Sequence, residues 1–399
     1  MTKPALPFFE FVLLIAVMFA MIAFGIDSML PAFPAIARDL GLTDVNQAQL
    51  VIMAFFLGTG IGQLVMGPLS DALGRKPVIL GGLVLYMLAC LVALRVDTLQ
   101  GLLIARFVQG IGVSAPRTVT MAMIRDLYSG RPMARVMSLA MTLFVLVPAI
   151  SPLLGQQIML AFGWRAIFVA FILFAMIGFL WLGLRQPETH PVEKRQKMRL
   201  KPYVTAFIEV MTSRIVMTYT LAISFSYGAL FAYLSSAQQI YVETFGKGQD
   251  FPLYFAAIAV ISGGAGILNS WLVMRLGMRK LATTAYLVML VASVLFVGLL
   301  GIFDIAPDLA FGLFLVWSVI SFFVPGLTFG NLNALAMEPM GHIAGMASAV
   351  MGAVSTALGV LIAVPIGQAY DGTPMPLLIG FSLCALVSLG LMLSNPKEV

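Results

Sequence analysis

Twelve apolar runs of about 20 residues follow one another along this chain, and no other property narrows its possible folds so far. A run of that length crosses about 30 Å of hydrocarbon as an α-helix. The runs cover 8–31, 46–66, 77–95, 100–124, 135–158, 165–184, 214–236, 252–274, 281–301, 308–331, 343–366 and 375–394. Charged residues make up only 10% of the 399, against about a quarter in soluble domains, so the solvent is a bilayer. Lipid offers the backbone no hydrogen-bond partner, which leaves helices or closed barrels. The ten-residue alternation of a barrel is absent. The first run is too long for a signal-peptide core, has Lys3 upstream, and ends in Asp27 and two prolines, so it reads as a retained span. The sequence predicts an all-α integral membrane protein with twelve transmembrane helices.

The basic residues orient it. Of 23 Lys and Arg, only Arg38, Arg95, Arg165 and Lys247 fall in one set of connecting segments, and Arg106 and Arg117 lie within a span. The rest, from Lys3 to Lys397, fall in the other set, which the positive-inside rule makes cytoplasmic together with both termini. This bias accounts for the net charge of +6 without nucleic acid. The longest polar stretch, "RQPETHPVEKRQKMRLKP", shows no apolar periodicity and reads as a cytoplasmic linker over 186–205. It separates two six-helix bundles, 1–185 and 206–399. A weak internal repeat supports the division: "GPLSDALGRKPV" after the second run and "NSWLVMRLGMRKLA" after the eighth each set a glycine before a basic pair, with Met274 standing where Asp71 would be. Pseudo-symmetric halves of this kind are built around a substrate site near the bilayer midplane.

Catalysis finds no support. "GTGIGQ" (Gly58 to Gln63) lies within a span and follows no strand, so it reads as small residues for close helix approach. No nucleotide loop with Gly-Lys-Ser/Thr occurs. His190 and His342 are far apart in loops and form no metal set, and Cys90 and Cys384 are lone thiols inside spans. The expectation is a non-enzyme with neither cofactor nor metal, drawing its energy from a proton gradient.

Charge within spans is where chemistry would lie, because each such group costs at least about 2.5–3.5 kcal/mol at the helix centre. Asp27, Arg106 and Arg117 are the candidates, all in the first half. Asp27 and Arg106 lie at similar depth and are expected to pair. Arg117 follows eleven residues later on nearly the same helix face, about 16 Å further along. Burial and a neighbouring cation act in opposite senses on an acid, which fits Asp27 as the proton-responsive group with Arg106 holding its charged form; a static ion pair is the structural alternative. Pro116, Pro148, Pro152 and Pro325 also lie inside spans and are expected to bend them. Met21, Phe24, Arg117, Phe225, Tyr227, Tyr233, Gln238 and Asn331 are candidate cavity residues, with adaptable methionine and aromatic surface among them; ordinary packing is the alternative for each aromatic.

These motifs resemble the Major Facilitator Superfamily, in its twelve-helix drug:proton antiporter branch, over the whole chain. "GPLSDALGRKPV" is similar to the superfamily's loop signature, with Gly67, Asp71, Gly74, Arg75 and Lys76 in place. "RFVQGIG" (Arg106 to Gly112) is similar to its fourth-helix motif, and "VPAISPLLGQ", with Pro148, Pro152 and Gly155, to its fifth-helix antiporter motif. "IDSMLPAFPAI" and "AMEPMGHIAGMASAVMGAVSTALG" resemble the bicyclomycin and chloramphenicol resistance group. The resemblance implies a monomer in a bacterial inner membrane that exports small amphipathic drugs in exchange for protons. It implies an inner gate around Asp71 and Arg75, with Asp71 near the amino end of the eleventh helix, a proton-relay role for Arg106, and tight packing of the fifth and eighth helices at Gly155. At Ala237, Gln238 and Gln239 the chain departs from the Ser-Pro-Phe-like turn of relatives, so their substrate preference does not carry over. A narrow-substrate metabolite or amino-acid-derivative exporter is the second reading. A non-transporting receptor is the third, and a channel is disfavoured because no charge ring or filter loop is present.

Overall fold

The computed structural model describes residues 6–195 and 200–394. Lys3, Lys197, Arg199 and Lys397, placed above at the inner face, lie outside the described residues. Among those described there is no strand.

The chain divides into two compact units, Met1–Tyr203 and Val204–Val399. The first holds α1 (Phe8–Asp27), α2 (Phe33–Asp39), α3 (Leu50–Leu73), α4 (Arg75–Ala93), α5 (Leu99–Leu127), α6 (Gly130–Phe162) and α7 (Ala166–Arg185). After α8 (Leu200–Thr212), the second holds α9 (Arg214–Gln239), α10 (Phe251–Gly263), α11 (Ala265–Leu276), α12 (Met278–Ile302), α13 (Pro307–Met337), α14 (Ala344–Gln368) and α15 (Met375–Ser394). Among the described residues, ten stretches are long and apolar enough to cross a membrane. One of them, Pro307–Gln368, contains both α13 and α14, joined by a 3₁₀ turn at Glu338–Ile343. α5 falls outside the ten: its 29 residues include Arg106, Arg117 and Arg125.

Several boundaries differ from the sequence reading. The second run continues seven residues further, to Leu73, so most of the signature "loop" is helix. The turn itself is Gly74 at φ +106°, with α4 starting at Arg75. Gly277 repeats the device at φ +77° between α11 and α12. A side chain rarely adopts this conformation, which is why a glycine precedes both basic pairs. The eighth run is interrupted at Gly264 between α10 and α11. The linker ends in α8, whose apolar Val204, Phe207, Ile208 and Met211 are spaced as on a helix. Pro116, Pro148, Pro152 and Pro325 sit inside continuous helices.

Small residues set the closest crossings. A Cβ on Gly58 of α3 would collide with the carbonyl of Phe107 on α5, and one on Gly110 with the carbonyl of Phe55. Gly62 lies similarly against Ser114. The "GTGIGQ" glycines therefore let two backbones touch, the usual solution where lipid removes the hydrophobic drive between helices. In the second unit, Gly359 of α14 packs on Tyr227 and Gly228 of α9.

Candidate functional site

α1 ends at Asp27, and the chain stays buried from Gly25 to Phe33 through a 3₁₀ turn at Leu30–Ala32. Asp27 is 5% exposed. Among the described residues its carboxyl makes no hydrogen bond and no ion pair. The hydroxyl of the adjacent Ser28 is also buried without a partner. Gly155 of α6 abuts the Ser28 backbone, where any Cβ would strike the carbonyl. Within the first unit, Gly155 brings the fifth span against the first. The antiporter-motif glycine thus presses directly on the residue after Asp27, with Pro152 buried and Pro148 half-buried in the preceding turns.

Arg106 is fully buried on α5. Its guanidinium donates from Nε to the Val51 carbonyl (3.2 Å), from Nη1 to Gln109 Oε1 (2.6 Å) and from Nη2 to the Gly25 carbonyl (2.8 Å). It also lies 4.3 Å from the centroid of the Phe55 ring. Gln109 in turn donates to Cys90 Sγ at 3.0 Å. The expected Asp27–Arg106 ion pair is therefore not made in this conformation. The guanidinium instead ties α1, α3 and α5 together through backbone carbonyls, which carry partial negative charge without adding a second buried ion. Its anchor on α1 is two residues before Asp27.

The second cluster surrounds the α3–α4 turn. Arg75, 7% exposed, pairs with Asp71 and, through Nε, with Asp126 at 3.0 Å, and donates to Ser70 Oγ at 2.8 Å. Lys76 Nζ donates to the Gly183 carbonyl at 2.7 Å. Gly67, also in α3, is half-buried. Two acids the sequence reading passed over complete the set. Asp126 ends α5 beside Arg125, and Glu188 lies in the polar stretch after α7. The Glu188 carboxylate accepts from the backbone N–H groups of Arg75 and Lys76 at 3.0 and 3.1 Å, while Thr189 donates its hydroxyl to Asp126. Charge balance was the available signal, since two cations beside one aspartate call for further carboxylates.

The proposed cavity residues fare differently from one another. Met21 is buried against Gly178 of α7, and Phe24 meets Phe171 and Phe174 edge-on at 5.3 and 5.2 Å, so both serve the α1–α7 contact. Tyr233 is fully buried among Tyr241, Phe314, Trp317 and Phe322. Asn331 donates to Asn269 Oδ1 at 2.7 Å. Tyr227 stacks on Phe231 at 5.3 Å and is half-buried. Phe225 lines a small, partly open cleft with Ser226, Tyr286, Ser321, Pro325 and Ser388. Gln238 is buried with its Oε1 unpartnered, and α9 passes into one π-helical turn at Ile240–Thr244 just beyond it, a feature common at functional sites. Arg117 alone among the eight is exposed. No group of three His, Cys, Asp or Glu suited to a metal occurs among the described residues.

Long apolar helices with unsatisfied polar groups set into them define a multi-pass α-helical membrane protein. The family model of the Major Facilitator Superfamily matches residues 13–364. The chain belongs to that superfamily, and is accordingly a transporter rather than an enzyme. It is similar to a bicyclomycin resistance protein homolog of Haemophilus influenzae, 30% identical over 95% of this chain and 94% of that one. It is also similar to a chloramphenicol resistance protein of Pseudomonas aeruginosa, 30% identical over 95% of this chain and 89% of that one. Its fold matches the crystal structure of a D-xylose-proton symporter with a TM-score of 0.73 at 15% identity, over 95% and 97% of the two chains.

Proposed function

We propose that this chain is a proton-coupled secondary transporter that exports small amphipathic compounds, antibiotics among them, across a bacterial inner membrane by alternating access. The observation that carries the reading is Asp27: a buried carboxyl with no partner, held at the end of α1 between the antiporter-motif glycine and the carbonyl that anchors Arg106. A static structural acid would have a hydrogen-bond partner, since an unpaired buried polar group is costly. An acid left without one is free to change its protonation as its surroundings change. The relatives' names point to drug resistance in the same direction.

Twelve spans follow when Pro307–Gln368 is divided at its 3₁₀ turn and α5 is counted despite its charges. Each unit then contributes six, and the basic residues put both termini in the cytoplasm. In this reading the Asp71–Arg75–Asp126 cluster is the inner gate, with Gly67, Gly74 and Lys76 shaping its turn. Pro148, Pro152 and Gly155 bring α6 against Asp27, and Arg106 transfers from the Gly25 carbonyl to the Asp27 carboxylate once the proton leaves. One proton entering gains about 2.3 kcal/mol per 100 mV of membrane potential, enough for more than a tenfold gradient of a neutral solute at about 1.4 kcal/mol per decade.

The test is transport of chloramphenicol and bicyclomycin by proteoliposomes under an imposed pH gradient. The wild-type protein accumulates at least one of them until a protonophore is added, and Asp27→Asn, inserted and folded, does not. Gradient-driven transport at wild-type rate by Asp27→Asn would remove Asp27 from the mechanism.

A further inference from the structure

Arg106 and Arg117 stand eleven residues apart on one face of α5, yet their surroundings are opposite. Arg106 is fully buried with three acceptors and an aromatic ring. Arg117 is exposed, makes no hydrogen bond or ion pair among the described residues, and lies 6.0 Å from the centre of the Phe19 ring of α1. It lies ten residues before the end of α5, or about 15 Å along the axis. A bare guanidinium at that depth is costly in lipid and is normally found facing a watered cavity or a partner. One turn further, at i+3 on the same face, the Thr120 hydroxyl is buried with no partner of its own. The first unit thus sets out a planar fork of N–H donors beside an aromatic ring, and one turn away an unused hydroxyl, with no acceptor for either among the described residues. Guanidinium forks match carboxylate, sulfonate and phosphate oxygens two at a time.

We propose that Arg117 recognises an anionic group on the transported solute, so that the preferred cargo is an amphipathic organic anion. The guanidinium takes the anion, Thr120 adds a hydrogen bond, and Phe19 borders the apolar body. The proposal rests on the export reading for its direction and has its own electrical consequence. A proton moving in and an anion moving out carry charge the same way, so each one-for-one exchange moves two charges, and membrane potential drives both.

The experiment compares 6-phenylhexanoate with 6-phenylhexanamide, which share an apolar body and differ in charge. Equilibrium binding is measured on the purified full chain at neutral pH for wild type, Arg117→Gln and Arg117→Lys. The carboxylate is expected to bind wild type at least about tenfold more tightly than the amide, in line with a charge-assisted bond. Arg117→Gln removes that preference and leaves amide binding within about twofold, and Arg117→Lys, which keeps the charge and loses the fork, retains part of it. Equal binding of the two probes to wild type, or an undiminished preference in Arg117→Gln, overturns the proposal. So does Arg117-dependent binding of phosphatidylglycerol without probe preference, which would assign the guanidinium to lipid headgroups. The pH-gradient assay of Asp27→Asn reports on the export reading alone, so the two can fail separately.

Discussion

Replacing Glu188 by alanine is predicted to loosen the first turn of α4 while sparing the rest of that helix. A helix start leaves four backbone N–H groups without intrahelical acceptors, and here each is accounted for. Gly74 donates to the Ser70 carbonyl, Arg75 and Lys76 donate to the two Glu188 oxygens, and Pro77 has no N–H to satisfy. The carboxylate also suits the positive end of the helix dipole. Its other two bonds, to Thr189 and His190 N–H, are local to its own turn. Water can replace those, so only the two bonds that span 113 and 112 residues of sequence count towards docking. Bonds to a charged acceptor contribute about 1.5–3 kcal/mol each when fully buried, and losing a cap typically costs about 1 kcal/mol. For a half-buried site the expected loss is about 2 kcal/mol, or about thirtyfold faster exchange of the Arg75 and Lys76 amides. Hydrogen exchange of peptides covering residues 70–80, corrected for intrinsic rates, measures it directly. Glu188→Gln keeps one acceptor oxygen and falls between, near fivefold, for about 1 kcal/mol. Unchanged exchange in Glu188→Ala, or equal acceleration along all of α4, would refute the capping argument.

Gly58→Ala forces a methyl against the Phe107 carbonyl; an overpacking cost of about 3 kcal/mol lowers the melting midpoint in detergent by about 6–12 °C, whereas Gly81→Ala, with open space at its Cβ, leaves it unchanged. Trp317→Phe strands the buried Ser293 hydroxyl that now accepts from the indole at 3.0 Å. That costs about 1–3 kcal/mol in thermal or denaturant unfolding, and adding Ser293→Ala recovers part of it because no orphan remains. The Thr373 hydroxyl and N–H hold the Asp371 carboxyl below the usual carboxylate range. A lowered folded value means the turn's extra stability is present above the unfolded value of about 3.9 and is lost as pH falls through the folded one. Exchange of the Thr373 amide, corrected for its intrinsic pH dependence, therefore rises below about pH 4 in the wild type, and Asp371→Asn abolishes that rise.

The apolar runs were legible because a bilayer enforces one requirement on every residue in a span, so hydropathy alone marks the helices. Helix ends were less so. The second apolar run stops at residue 66, yet the helix continues to Leu73 because the Ser70 hydroxyl returns to the Gly67 carbonyl and Asp71 pairs with Arg75. The 186–205 linker takes in only the first turns of α8, which runs on to Thr212, because the polar stretch before it hides the start of its apolar face. The charge cluster at the α3–α4 turn is half legible: the basic pair and Asp71 stand together in sequence, whereas Asp126 and Glu188 arrive from 51 and 113 residues away.

The sequence by itself determined the solvent, the helical class and which side chains would carry charge into the spans: Asp27, Arg106 and Arg117. Those follow from residue type, because the cost of apolar surface in water or of charge in lipid belongs to the side chain wherever it sits. Only the tertiary structure decided which of the three would be partnered. Arg106 is held chiefly by the carbonyls of Val51 and Gly25, and every residue in a chain owns a carbonyl, so no residue type announces such a partner. The close α3–α5 crossing at Gly58 and Gly110, with α1 beside it, chooses which carbonyls face the guanidinium, whereas Asp27 and Arg117 have no hydrogen-bond partner among the described residues.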